Sequence, residues 1–343
     1  MNNWSATQVD AANYCKRRYY LRYVLHEPDE YLSVFLRGTV LHDLVENFWK
    51  KLGKKYDNSE SFAEHGRKQF WRNVIVAEKG ERKVSWRFEG ERYEFQRSIE
   101  RTCLNFFSTA IEEGPPIFSE LGFNVSLGNR SFKGRIDEIR RIGDKIVIRD
   151  YKSGFPLIDY VKSHKDMQLA LYNAALNALI MYNSSISDKL GFSSEERKIL
   201  KERGSYINPD FEMQFFMFGA LDDRKRERQQ VIYPSNRKES DFSTLLQMIK
   251  STEQAVLSGN VVPEWGRKCA DCGVKYACIK RAEAEALLPN VDQKGQMMFE
   301  FASPKVVQKT KQEVKLEQKM AAKQQTRLRL RRSLKVKDSQ ELF

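Results

Sequence analysis

No run in this chain approaches the ~18 uninterrupted apolar residues that a membrane-spanning helix requires, so no transmembrane segment is expected. Nowhere does G-x4-G-K-[ST], the loop that cradles nucleotide phosphates, occur in its 343 residues. The chain is therefore not itself a P-loop helicase, and any unwinding would need another protein. The opening Met-Asn-Asn-Trp-Ser-Ala-Thr-Gln-Val-Asp lacks the basic-then-apolar layout of a secretory signal. An intracellular, cytoplasmic or nucleoid-associated setting is the expectation, and there cysteines stay reduced and serve as ligands or nucleophiles. Cysteine and histidine are both scarce, at five and four. No internal repeat is visible.

What is abundant is positive charge. The formal net charge is +13, and it is unevenly placed. Residues 304–343 hold twelve Lys/Arg against four Asp/Glu, a net +8, so the body is only mildly basic. Such a balance points to a polyanionic partner. The Gln/Lys-rich segment 291–343 reads as a basic tail, helical or disordered until bound. Its last residues, Ser339 to Phe343, fit a short docking peptide such as a sliding-clamp ligand.

Residues 1–50 read as helical, with Ser5 as an N-cap and Val40, Leu41, Leu44, Val45 and Phe48 at helical spacing. Residues 60–113 read as helix again, closed by Gly114-Pro115-Pro116. The period then shifts to two. Strands are expected at Phe123–Leu127, Ser131–Ile142 and Lys145–Lys152, the last two joined by a two-residue turn at Gly143-Asp144. Gly154 and Pro156 end the third strand, and a helix follows over His164–Tyr182. The serine-rich segment 183–204 reads as an insertion. A strand at Phe211–Met217, a partner at Gln230–Tyr233 and a helix over Asp241–Leu257 complete a domain spanning 1–290. Helices, then a hairpin-rich sheet, then more helix predict a mixed α/β fold with a central mixed sheet flanked by helices.

The hairpin carries the chemistry. Alternate side chains of a strand share a face, so Asp150 and Lys152 project together with Tyr151 turned away. Asp137 sits across the hairpin, where its carboxylate can converge with that of Asp150. Two hard oxygen ligands suit Mg²⁺ or Mn²⁺, which would acidify a bound water and offset phosphate charge. A neighbouring lysine can orient that water or stabilise the developing charge. D-x12-D-x-K is common in isolation, but Gly134 permits close backbone approach and Ile146-Val147-Ile148 mark a buried strand delivering Asp150 at its end. Gln168 and Tyr172, four apart on one helix face, can offer an amide and a ring to a nucleotide. Glu120 lies on the preceding strand, without an assigned role.

Four of the five cysteines lie toward the two ends, as Cys15 and the C-x2-C-x5-C of Cys269, Cys272 and Cys278. Together they could surround one metal site if the fold joins the termini. Four thiolates accommodate zinc or an iron–sulfur cluster, although structural zinc usually draws on two local pairs. Unligated buried thiols are the third reading. Cys103 reads as a core residue.

Gly134-Arg135-Ile136-Asp137, Asp150-Tyr151-Lys152 and Gln168-x3-Tyr172, together with Gly38-x3-His42, resemble the RecB-like branch of the PD-(D/E)xK nuclease superfamily. The match runs over about residues 5–285. The resemblance implies a restriction-endonuclease-like core with His42, Asp137 and Asp150 as metal ligands. It makes Lys152 the catalytic lysine, with Gln168 and Tyr172 contacting DNA. The cysteine pattern is similar to the 4Fe–4S clamp of AddB-type and CRISPR-associated RecB-like nucleases, although Cys15 is followed by Lys16 where that family often has proline. The implied activity is metal-dependent DNA cleavage, as a single-strand-preferring exonuclease serving repair, recombination or processing. The alternative is a non-catalytic or partner-dependent DNA-binding subunit of a helicase–nuclease or CRISPR adaptation complex.

Overall fold

A computed structural model describes residues 3–80, 83–153, 166–218 and 230–286. The basic tail, His164 and the strand-ending Gly154 and Pro156 lie outside the described residues. Strand β1 (Asn3–Ser5) leads into α1 (Ala6–Tyr14), α2 (Lys16–Tyr19) and a π-helical turn (Tyr20–Val24). Strand β2 (Tyr31–Leu32) precedes α3 (Ser33–Glu46), α4 (Phe48–Lys51) and α5 (Ser59–Lys79). Strand β3 (Val84–Ser85) and α6 (Glu91–Glu113) follow, and then the three strands of the hairpin region, β4 (Phe118–Leu127), β5 (Arg130–Ile142) and β6 (Lys145–Lys152). Helices α7 (Met167–Tyr182), α8 (Ser184–Lys189) and α9 (Ser194–Arg203) lead to β7 (Glu212–Met217) and β8 (Val231–Ser235). Helix α10 (Glu239–Leu257), a short 3₁₀ turn (Arg267–Asp271) and α11 (Lys275–Ala286) close the described chain.

The mixed α/β expectation holds, with three departures. Ser5 does cap α1, through a capping box with Gln8, but it also ends a strand paired in parallel with β5. Three residues are too few to show a period. The stretch 60–113 is two helices rather than one, because Gly80 closes α5 and Gly90 opens α6, with β3 paired to β2 between them. The serine-rich segment 183–204 forms α8 and α9, tucked in by the buried Leu190 and Leu200.

Five strands of the sheet run in the order β1-β5-β6-β7-β8, and β4 pairs with β5. A strand has two edges, and β4 occupies one edge of β5 from Arg130 to Ile139. The other edge is shared: β6 takes Glu138–Ile142, while β1 takes Ser131–Lys133. Between these two pairings, residues 134–137 face a split in the sheet. One face of the sheet is packed by α1, α7 and α10, with Trp4, Phe132, Ile136, Ile148 and Leu171 in its core. The opposite face carries α3, α5 and α6 over Tyr151, Phe106 and Phe216.

A buried charge network ties α6 to this second face. Arg149, 1% exposed, grips Glu113 at the end of α6 through two bonds of 2.7 and 3.0 Å and also reaches Gln214. Arg140 bridges Glu138 at 2.5 Å and Glu113 at 2.8 Å. Burial alone would raise the Glu113 carboxyl, but the Arg149 hydrogen bond and the charges of Arg149 and Arg140 hold it below its usual value. A carboxyl lowered in the folded state adds stability above its unfolded pKa and loses it as pH falls through the folded one. Glu113→Gln should therefore cost about 1–3 kcal/mol at pH 7. In urea unfolding, the gap from wild type should close as pH drops below the ordinary carboxylate range.

Candidate active site

The site lies at the split in the sheet. Past Glu138–Arg149 the β5–β6 ladder ends, so the backbone N–H of Tyr151 is not used by β5. It donates instead to Oδ2 of Asp137, at 2.8 Å. Asp150 and Lys152 share the face covered by α7, as strand alternation predicts, while Tyr151 points into the opposite core with Phe106, Phe216 and Phe218. The Lys152 ammonium pairs with Asp150 at 2.6 Å and donates to Gln168 Oε1 at 3.1 Å. Asp166, which caps α7 by accepting from the Gln168 and Leu169 amides, sets the first turn of that helix beside Lys152.

His42 comes from the other face, on α3, with Nδ1 at 3.6 Å from Asp137 Oδ2. Glycine makes this approach possible. A Cβ at Gly38 would come within 3.3 Å of the Ser153 hydroxyl, at the end of β6. The neighbouring Arg37 donates to the Ser153 carbonyl, fastening α3 to the same point. At Gly134 a Cβ would strike the Phe123 ring at 2.7 Å, so this glycine makes room for a core ring.

The electrostatics follow from burial. Asp137 is pushed up to about 7, first by burial and then by the charge of Asp150, against the pull of His42 and the Tyr151 amide. Asp150 is raised too, again by burial, with Lys152 opposing. Lys152 would be lowered by burial, but the charges of Asp150 and Asp166 outweigh that and raise it. His42 is likewise raised, as Glu120, Asp137 and Asp150 overcome its burial. Burial thus disfavours the charged form of both carboxylates, and a bound cation would favour it again. An imidazole nitrogen and carboxylate oxygens form a donor set that suits Mg²⁺ or Mn²⁺, so the residues present fit a divalent cation.

Two sequence expectations change. Tyr172 is 3% exposed and its ring packs edge-on against Phe123, so it does not offer a stacking face to a nucleotide. Its hydroxyl accepts from Gln168 Nε2 at 2.6 Å, which orients the amide whose oxygen receives Lys152. Glu120, given no role by the sequence, joins His42 and Asp137 in a set whose ligand atoms lie within 4.8 Å of one another. The signal available was its place on β4 opposite Asp137. Its backbone, with φ of 53°, could not have been foreseen.

The family model for the PD-(D/E)XK nuclease superfamily matches residues 3–279. The chain belongs to that superfamily. Its members are metal-dependent nucleases, and the central mixed sheet flanked by helices is their restriction-endonuclease-like core. No curated protein matches the chain. Among solved structures, one titled "Crystal structure of SSO0001" is 13% identical, with 70% of this chain and 94% of that one covered and a TM-score of 0.29. Among the described residues, no helix is long and apolar enough to cross a membrane.

The four clustered-in-sequence and distant cysteines line one cavity of about 280 Å³, together with Arg17, Arg18 and Leu21. All are free thiols. No three of their sulfurs lie within 4.8 Å of one another. Cys103 is buried among Gly66 and Ile99 in the second core, as expected of a packing residue.

A cation that binds the folded site and not the unfolded chain stabilises the fold, by about 2.7 kcal/mol at a hundredfold excess over its Kd. Mn²⁺ should raise the melting temperature of the wild type in a concentration-dependent way. Asp137→Asn should remove most of that rise, as read by calorimetry with and without EDTA.

Proposed function

We propose that the chain is a divalent-metal-dependent deoxyribonuclease that prefers single-stranded ends. The carrying observation is the meeting of His42, Asp137, Asp150 and Lys152 from both faces of the sheet at one split. His42, Asp137 and Asp150 would hold the cation, which when bound acidifies a water and neutralises the scissile phosphate. Lys152, kept charged by two carboxylates, is positioned by Gln168 and stabilises charge developing on the phosphate. Tyr172 holds the Gln168 amide in place. Beside the acids on β5, Lys133 and Arg135 are exposed and supply positive charge along the approach to the site.

The cysteine cavity supports a second element of this reading, a 4Fe–4S cluster held by Cys15, Cys269, Cys272 and Cys278. Four thiolates suit either zinc or a cluster, and structural zinc usually draws on two local pairs, a pattern that one remote cysteine plus a triplet does not follow. The cavity between them suits a larger group. Arg17 and Arg18 line it and would offset the charge of four thiolates. Bound there, a cluster supplies cross-linking of the chain ends, a structural role. The basic tail would hold nucleic acid by its phosphates, with a helicase or sliding clamp as a partner for processive work.

Asp150→Ala and Lys152→Ala should each lower cleavage by about 10²–10³-fold or more, while binding to single-stranded DNA persists. A time course on end-labelled single-stranded, double-stranded and circular DNA reads both the loss and the exonuclease mode; wild-type rates in either variant would remove the site assignment. Purified without oxygen, the protein should be brown and absorb broadly near ~400 nm. Stoichiometric zinc without iron would defeat the cluster.

A further inference from the structure

Among the described residues, two that are not glycine have a positive φ, His26 and Glu120, and only Glu120 lies within a strand. It sits mid-strand in β4 with φ of 53°, a left-handed conformation unfavourable for any residue with a side chain. The distortion has a visible effect on the sheet. In a regular strand, residues three apart point to opposite faces, yet Phe118 and Leu121 both pack toward the α7 side, as do their partners Ile139 and Ile136. Both strands therefore reverse their alternation between the pairs Ser119–Glu138 and Leu121–Ile136, where Glu120 and Asp137 lie. The reversal turns the Glu120 carboxylate toward α3, where Oε1 lies 4.0 Å from His42 Nδ1.

The other oxygen, Oε2, is held by Arg135 at 3.0 Å. The Arg135 side chain is 63% exposed and that of Glu120 only 12%, so water screens the pair mainly from the arginine side. Glycine would adopt the left-handed conformation of Glu120 without strain and preserve the phase reversal. The conformation does two things at once: it lets Phe118 and Leu121 pack on one side, and it turns the carboxylate toward His42.

We infer that Glu120 is a further protein ligand, beside His42, Asp137 and Asp150, for the divalent cation. The donor atoms of His42, Glu120 and Asp137 lie within 4.8 Å of one another, and they come from α3, β4 and β5. A nitrogen and two carboxylate oxygens from separate elements can share one cation. Arg135 steers the carboxylate by occupying Oε2 and leaving Oε1 for the cation. The inference deepens the metal-dependent reading given above and rests on it.

Two variants separate a ligand from a structural kink. Glu120→Gln keeps the side-chain shape, and Glu120→Gly removes both the carboxylate and the strain. In EDTA, Glu120→Gly should melt no lower than the wild type. Titrated calorimetrically with Mn²⁺ in the absence of DNA, both variants should bind at least about tenfold more weakly. Wild-type Mn²⁺ affinity in both variants would overturn the assignment. Asp137→Asn, run alongside, identifies the level of failure. If it too binds Mn²⁺ as the wild type does, the cation site itself is misplaced; if it alone loses Mn²⁺, the site stands and Glu120 is not part of it.

Discussion

Two carboxylates that repel each other are held together in a place where water cannot screen them. Asp150 is 2% exposed, and Asp137 is raised by burial and by the charge of Asp150. Such a pair persists only if the backbone fixes it. Here the fixing comes from the sheet: the ladder between β5 and β6 stops at Glu138–Arg149, and the unused Tyr151 amide binds Asp137. Everything around the split serves that geometry. Helix α3 is drawn in by Gly38 and Arg37, α7 is anchored by its Asp166 cap, and Lys152 answers one of the two negative charges.

Much of this was legible in the chain. The turn at Gly143, the buried run Ile146-Val147-Ile148 and the D-x-K spacing placed Asp150 and Lys152 on a shared face at a strand end, because alternation is a strong local rule. The helical spacing around His42 and Gln168 was legible for the same reason. What escaped depends on tertiary context. Arg140, Arg149 and Glu138 look like surface charges on a strand, yet they are buried against one another, since their partner Glu113 comes from the end of a distant helix. Tyr172 looked like a ring for bases, but only packing against Phe123 could show it to be buried. The reversal of phase at Glu120 has no sequence signature, because glutamate is an unlikely residue for that backbone.

Polar contacts join the segment after the π-helical turn to the cysteine-bearing segment. Arg281 pairs with Glu27, Lys275 with Glu30, and the Glu30 amide donates to the Gly273 carbonyl at 2.8 Å. Asp271, one residue from Cys272, pairs with Arg87 at 2.6 Å. Arg87 in turn gives its amide to Glu91, which also accepts from Ser33 at the start of α3. The cysteine loop and the helix bearing His42 are therefore linked by a short polar chain.

Tyr151 carries a consequence for how the D-x-K pattern should be understood in this chain. Its amide serves Asp137, its hydroxyl donates to Glu138, and its ring stacks on Phe218. The middle position of the pattern, nominally open to any residue, is here the junction through which the acidic cleft is braced by the charge network beneath it. Substitution there would be read as a loss of cutting although no reacting atom had been touched. In this protein the letter left blank in the motif is among the least free to change.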